Sequence, residues 1–352
     1  MNACTFVSSR SAGAGQPAWT AKFADRQEGG LAIAKRKEVA ELAGVSEATV
    51  SRVLSGSERV KEETRRRVMA AAEALGYYPN AVARNFARRR SGNIGVILPY
   101  VPKVHLFSTF YFSEILNGIG ETLRDHGYDM LLIFRPPEEE YEYSLLFKTG
   151  RVDACIILGA ADHDGERRGL QALVREAFPF CLVNQDYPDE GFPNIDAAHV
   201  EGSRSAVLHF MDQGTERIAF INGPLHYSNS RERLEGYLQA FEQRGLSWRE
   251  EWLFSGNYSR KSGYLLAERL LPEIRSGRIE AVFAGNDRMA IGLNQGLKEH
   301  GCIAGQHYAL AGYDDSDAAR LSDPPLTSVH VPLYEMGRLA AEVLQHNAVA
   351  VP

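Results

Sequence analysis

Between about residues 92 and 346 the chain runs twice through the same alternation of short apolar runs and amphipathic segments. GNIGVILPYV (92–101) is apolar almost throughout, as a strand covered on both faces should be. FYFSEILNGIGETLRDHGY reads as an amphipathic helix ended by Gly127, and YDMLLIF as the next strand. A helix at 138–149, strand VDACIIL (152–158), a helix at 166–177 and FCLVN (180–184) follow. After about residue 196 the pattern restarts. It gives a helix at 200–213, strand RIAFING, helices at 231–244 and 260–275 with NYSR in the loop between, AVFAGN, a helix at 287–300 and YALAGYDD. This alternation builds doubly wound βαβ units. Two such halves imply two α/β lobes with a cleft between them, and a last helix at 333–346 is expected to cross back to the first lobe.

Ahead of that body, KEVAELAGVSEATVSRVLSG (37–56) reads as two short helices around a tight turn. Val39, Ala40, Leu42 and Ala43 give the first helix an apolar face. Gly44 supplies the left-handed exit, Val45 turns inward and Ser46 is a good N-cap for the second helix. Val50, Val53 and Leu54 face the core, which leaves Glu47, Ala48, Ser51, Arg52 and Ser55 outside. Small, polar and basic residues near the start of a short exposed helix suit the DNA major groove, although an ordinary αα-hairpin has the same outline. Residues 57–76 read as a third helix with Val60, Thr64, Val68, Ala71, Ala72 and Leu75 on one face. Lys61, Arg65, Arg66 and Arg67 are assigned mostly to the solvated face, with one or two available to phosphate, a contact that positions without specifying. Residues 79–90, PNAVARNFARRR, are a short helix from Asn80 to about Ala87 or a basic linker.

Charge separates the two regions. The whole chain carries a formal −6, but residues 35–90 hold 13 Lys/Arg against 7 Asp/Glu and residues 91–352 hold 23 against 36. A basic module on an acidic body confines attraction for DNA to one end. The four cysteines (Cys4, Cys155, Cys181, Cys302) are scattered, which fits small core residues in a reducing cytoplasm. The ten histidines form no HExxH or paired-ligand pattern, so no metal is expected. No apolar run approaches the roughly 20 residues of a membrane span. MNACTFVSSRSAGAG lacks the apolar core of a signal peptide. Neither a GxGxxG after the first strand nor a GxxxxGK[ST] occurs, and no nucleophile–base or acid–base constellation stands out, so no cofactor and no enzyme activity are expected.

The string AGVSEATVSRVL, then ETRRRVMAAAEALGYYPNAVAR, resembles the DNA-binding headpiece of the lactose/purine-repressor (LacI/GalR) family of bacterial transcriptional regulators. The resemblance implies a three-helix helix-turn-helix headpiece at 32–78, a hinge helix at 79–90 and a periplasmic-binding-protein-like effector and dimerisation domain of two doubly wound α/β lobes at 91–352. Lobe 1 would span about 91–196 with 333–346, and lobe 2 about 197–329. Residues 1–31, rich in Gly, Ala and Ser, are read as a disordered extension and depart from the family, whose headpiece starts at the N-terminus. The ending AVAVP is short of the usual family C-terminus, so a final strand is expected to be missing or shortened. The resemblance puts DNA contacts at Glu47, Ala48, Thr49, Ser51 and Arg52, and at Asn80, Ala83, Arg84 and Phe86 of the hinge. Phe86 stands where the family usually has the Leu that wedges into the minor groove. Glu47 and Ala48 occupy the positions that vary to choose sequence, Glu47 suited to a cytosine amino group and Ala48 to a thymine methyl.

Ligands of open parallel sheets sit at the carboxyl ends of strands. That rule nominates Asn184, Asn286 and Asp314, with Arg233 opening a helix after INGP and Tyr111 and Phe112 opening the first helix. Amide, carboxylate and guanidinium groups with aromatic faces are how proteins grip sugars. By resemblance, SRERLEGY points to Arg233, AGNDRMA to Asn286 and GYDD to Asp314, while Tyr258 falls at a stacking-aromatic position and Asn184 where Asp is commoner. Plainer roles compete: Asp314 as a loop cap, Arg233 as a surface ion-pair residue, Tyr258, Tyr111 and Phe112 as core aromatics. The combined expectation is a cytoplasmic homodimeric repressor of a pseudopalindromic operator, controlled by a small molecule, most simply a sugar. A purine or nucleobase effector, suggested by the Tyr111–Phe112 pair, and a protein co-repressor are the alternatives. A sugar-binding protein with no DNA role is more remote.

Overall fold

The computed structural model describes residues 34–54, 59–77, 90–100, 105–136 and 139–348. They fall into two units, one N-terminal and one from residue 90 on. The expected extension at 1–31 and the hinge residues Asn80, Ala83, Arg84 and Phe86 lie outside the described residues.

The first unit is three helices, α1 (Arg36–Ala43), α2 (Glu47–Leu54) and α3 (Glu62–Ala74). Val39, Ala40 and Ala43 of α1, Val50 and Val53 of α2, and Val68, Ala71 and Ala72 of α3 form one buried cluster. Val45, Leu54, Val60 and Tyr77 pack on its margin. Gly44 ends α1 at φ 63°, and the Val45 N–H returns to the Ala40 carbonyl at 3.0 Å. Ser46 caps α2, its hydroxyl accepting from the Thr49 N–H at 3.2 Å. One expectation fails here. Leu42 is 58% exposed, because the apolar stripe of so short a helix holds only Val39, Ala40 and Ala43. Arg67 is exposed as expected, and its guanidinium also reaches back to the Ala43 carbonyl and, at 3.4 Å, to that of Gly44, satisfying acceptors the end of α1 leaves open.

The second unit holds two parallel five-stranded sheets, each wound by helices. The first contains β1 (Asn93–Pro99), β2 (Asp129–Arg135), β3 (Ala154–Leu158), β4 (Phe180–Val183) and β5 (Asn194–Ile195), in the order β2-β1-β3-β4-β5. Its helices are α4 (Phe110–Asp125), α5 (Ser144–Lys148) and α6 (Asp164–Arg175). The second contains β6 (Ile218–Asn222), β7 (Leu253–Ser255), β8 (Ala281–Ala284), β9 (Ala309–Asp314) and β10 (Thr327–His330), in the order β10-β9-β8-β6-β7. With it go α7 (His199–Asp212), α8 (Ser228–Gln243), α9 (Arg260–Arg275), α10 (Asp287–Lys298) and α11 (Asp317–Arg320). Strands β3, β4, β6 and β8 are buried along their whole length, which is why they read as unbroken apolar runs. The edge strands β5, β7 and β10 were not visible in the pattern, being only two to four residues long. The helix expected over 138–149 shrinks to α5, where Leu146 is the apolar anchor.

The last helix, α12 (Leu333–Ala348), packs against α4, β3 and β4, so it returns to the first lobe as expected. Met336, Ala340, Ala341 and Leu344 bury its inner face. Two glycines allow backbone-to-backbone approach: a Cβ at Gly118 of α4 would run into the Tyr334 carbonyl, and one at Gly337 into that of Ile115.

Candidate functional site

The outer face of α2 presents Glu47, Ala48, Ser51 and Arg52, all exposed, with Thr49 half-buried. The Thr49 hydroxyl lies 2.9 Å from that of Ser46, so it belongs to the cap. Glu47 is paired with Arg36 of α1, Nε to Oε2 at 3.1 Å, across the exposed junction of the two helices. A base amino group that donated to this carboxylate would share it with Arg36. The face is short and polar, and Ala48 and Ser51 keep part of it small, which suits close approach to a groove floor.

In the second unit the two sheets direct the carboxyl ends of their strands toward one seam. Loops after β3 and β4 meet the start of α8 there. The Asp186 N–H donates to the Ser228 hydroxyl at 2.9 Å, the Ser228 N–H donates to Gln185 Oε1 at 3.0 Å, and the Asp162 N–H donates to the His226 carbonyl at 2.8 Å. Arg231 of α8 approaches Asp162 at 3.5 Å.

Arg233 lies one turn into α8 and is almost wholly buried. Its Nη1 donates to the Gly285 carbonyl at 2.6 Å, and Nη2 stands 4.0 Å from Asp314 Oδ1. The guanidinium lies over the rings of Tyr313, at 4.0 Å, and Tyr258, at 5.8 Å. Its Nε has no hydrogen-bond partner among the described residues. Asp314 ends β9 in a left-handed conformation, φ 104°. Burial pushes its carboxyl up to about 7, against the pull of Arg233. The Tyr111 phenol, at the start of α4, reaches the same cluster, hydrogen-bonded to Asn184 and within the fields of Asp196, Asp314 and Arg233; burial raises its pKa. Thus Tyr111, Asn184, Arg233, Tyr258 and Asp314 converge, from both lobes, around one polar centre.

The other two nominated residues serve differently. Phe112 meets Tyr111 edge-to-face at 4.9 Å and packs on the core. Asn286 is the N-cap of α10: its Oδ1 accepts from the Met289 N–H at 3.0 Å and its Nδ2 donates to the Tyr258 carbonyl at 3.1 Å. Its side chain is committed to the turn that presents Tyr258, itself at φ 63°. The Tyr258 hydroxyl is fixed by Ser230 at 2.5 Å and Asn229 at 2.9 Å. Asp287 is buried, and its carboxylate accepts from Ser316 and Ser328, binding the loop after β9 to β10.

Two family descriptions match the chain: bacterial regulatory proteins of the lacI family over residues 36–80, and a periplasmic binding protein-like domain over 207–348. The ribose operon repressor of Escherichia coli (strain K12) is 32% identical over 317 residues, covering 90% of this chain and 93% of that protein. The chain belongs to the LacI family of bacterial regulatory proteins. Among solved structures of the family, the lac repressor dimer bound to operator and the anti-inducer ONPF matches with TM-score 0.77 and 26% identity, over 90% of this chain and 93% of that one. A complex of the regulator CelR with cellobiose matches with TM-score 0.66 and 30% identity over the same shares. As a LacI-family member this chain is a DNA-binding transcriptional regulator with a two-lobed periplasmic-binding-protein-like domain, and not an enzyme. No helix among the described residues is long and apolar enough to cross a membrane.

Around the cleft of this LacI-family chain stand residues that the strand-end rule does not reach. His199 opens α7 and is buried; its Nε2 lies 2.6 Å from Asn184 Oδ1 and 3.2 Å from Asp196 Oδ1, and its Nδ1 is 3.2 Å from the Tyr313 hydroxyl. Burial, with Arg233 adding, pushes its pKa down to about 4, so the ring is neutral. Glu232, on α8 beside Arg233, is pushed up to about 7 by burial and then by the carboxylates of Asp196 and Asp186. The DAAH spacing after β5 was the available signal for Asp196 and His199. Glu232 had none, because its neighbours come from 36 residues earlier.

Proposed function

We propose that this chain is a homodimeric, cytoplasmic repressor that reads a pseudopalindromic operator with α2 and answers to a neutral sugar held between its lobes. The observation that carries the effector reading is the convergence of Arg233, Asp314, Tyr111, Asn184 and Tyr258 on one buried polar centre at the strand ends. Arg233 keeps a buried donor, Nε, without a partner among the described residues, and Asp314 keeps a carboxylate that accepts from hydroxyls. Aromatic rings of Tyr258 and Tyr111 beside these groups suit the apolar face of a pyranose or furanose. Asp314 and Glu232 act on Arg233, and Asp196 lies beside Glu232, so the metal-free centre is acidic, which favours an uncharged sugar over a sugar phosphate. Relatives named as a ribose operon repressor and as a cellobiose complex support the same class.

Headpiece and cleft then act as two coupled sites. A coupling of about 1–3 kcal/mol between sugar and operator gives a roughly 5–150-fold change in DNA affinity. The test is fluorescence anisotropy of the protein on DNA from its own upstream region, titrated with a panel of sugars and purines. One sugar should shift operator affinity, and Asp314→Ala should abolish that shift while operator binding without sugar stays intact. A normal sugar response in Asp314→Ala, or a response to purines alone, sinks the assignment.

A further inference from the structure

We infer that Asp196, His199 and Glu232 form a binding site for a divalent transition metal of the zinc class in the seam between the lobes. One nitrogen of His199 and one oxygen from each carboxylate all lie within 4.8 Å of one another. In a tetrahedral site with bonds of about 2.0–2.1 Å, ligand atoms stand roughly 3.3 Å apart. His199 Nε2 and Asp196 Oδ1, at 3.2 Å, already have that spacing. Glu232, half-buried on α8, closes the remaining gap by a side-chain adjustment of about 1.5 Å.

Two features of the carboxylates are unexplained by hydrogen bonding alone. Asp196 Oδ2 is buried and has no hydrogen-bond partner among the described residues. Glu232 makes no hydrogen bond or ion pair with a described residue, and Asp196 and Asp186 repel it more strongly than Arg233 and Arg231 attract it. A dication relieves that repulsion directly. His199 is neutral and has its second nitrogen, Nδ1, 3.2 Å from the Tyr313 hydroxyl. In the metal-free chain Nε2 faces two acceptor oxygens and carries the ring proton; a metal takes that proton's place, and the proton moves to Nδ1, where the Tyr313 hydroxyl oxygen accepts it, the arrangement in which histidines bind metals. Asn184 Oδ1, 2.6 Å from Nε2, borders the fourth position. One nitrogen and two carboxylate oxygens match zinc-type ions better than calcium or magnesium, which prefer all-oxygen shells. The absence of any HExxH had led to the expectation of no metal; here the ligands come from the crossover after β5 and from α8, so no local motif could reveal them.

The site borders the proposed sugar centre through Asn184, but a metal titration uses neither sugar nor DNA, so its failure is distinguishable from failure of the effector reading. The experiment uses tag-free full-length protein, stripped with chelator and titrated with Co²⁺ at pH 7.5. One Co²⁺ per chain should give an intense visible band of tetrahedral type, which equimolar Zn²⁺ abolishes. Glu232→Gln, nearly isosteric, should weaken Co²⁺ at least about tenfold while its circular dichroism is unchanged. Asp196→Asn asks the same question should Glu232→Gln not fold. No saturable band, or a band of equal affinity in the folded variants, overturns the proposal.

Discussion

Glu47 carries two demands at once, an ion pair with Arg36 and an exposed place on the face of α2. An exposed pair of this kind contributes only about 0–1 kcal/mol, so DNA can recruit either partner at little cost to the fold. Glu47→Gln should therefore change operator preference more than overall affinity. Selection from a randomised site library checks this, and an unaltered consensus would remove Glu47 from base reading. Asp314 gives a second prediction. Its carboxyl titrates near 7 because it is buried, with Arg233 and Arg288 opposing and Asp287 adding to the rise. Below that pH it is protonated and loses its role as a pure acceptor, so sugar affinity should fall as pH drops from 8 to 6. Calorimetric titration across that range should show the decline, and Asp314→Asn should flatten it. The raised pKa also means that this carboxyl favours the folded state below its ordinary value near 3.8 and loses that contribution as pH rises through about 7. Strand-end residues such as Asp314 were legible because a parallel sheet fixes where its loops go. Asn286 has a task that the strand-end rule does not reveal: an Asn at a strand end is also the start of the next helix, and here its side-chain oxygen caps that helix at Met289.

Among the elements, the turn between α1 and α2 was readable to the residue, since Gly44 and Ser46 each have a backbone task that few other residues perform. Gly44→Ala must hold an L-residue at φ 63° and brings a Cβ to 2.7 Å from the Arg67 guanidinium. A cost of about 1–2 kcal/mol is expected, visible as faster amide exchange across α1 and weaker operator binding. Helices α4 and α12 depend on a different use of glycine. Gly118→Ala should lower the melting temperature of the protein by several degrees, because the added methyl meets a main-chain carbonyl that cannot turn aside. An unchanged melting curve would mean that the two helices slide apart freely. The strands that escaped notice, β5, β7 and β10, are sheet margins too short to leave a periodic pattern. Their existence is dictated by the edges they cover, which is tertiary information.

For the molecule as a whole, the division of charge is the dominant electrostatic fact: a basic 35–90 and an acidic 91–352. Operator affinity should fall steeply with ionic strength, by roughly 10³–10⁵ between 50 and 200 mM salt if a dimer engages 6–10 phosphates. Sugar affinity, set in a buried centre, should barely move over the same range. Parallel titrations in one salt series would separate the two. Finally, the return of α12 to the first lobe makes that lobe discontinuous in sequence: everything from α7 to β10 is inserted between β5 and the helix that covers α4. During synthesis on the ribosome, the second lobe has all its strands before the first has its last helix. The face of α4 that carries Gly118 stays uncovered until residues 333–344 emerge, so the first lobe to be translated is the last to close.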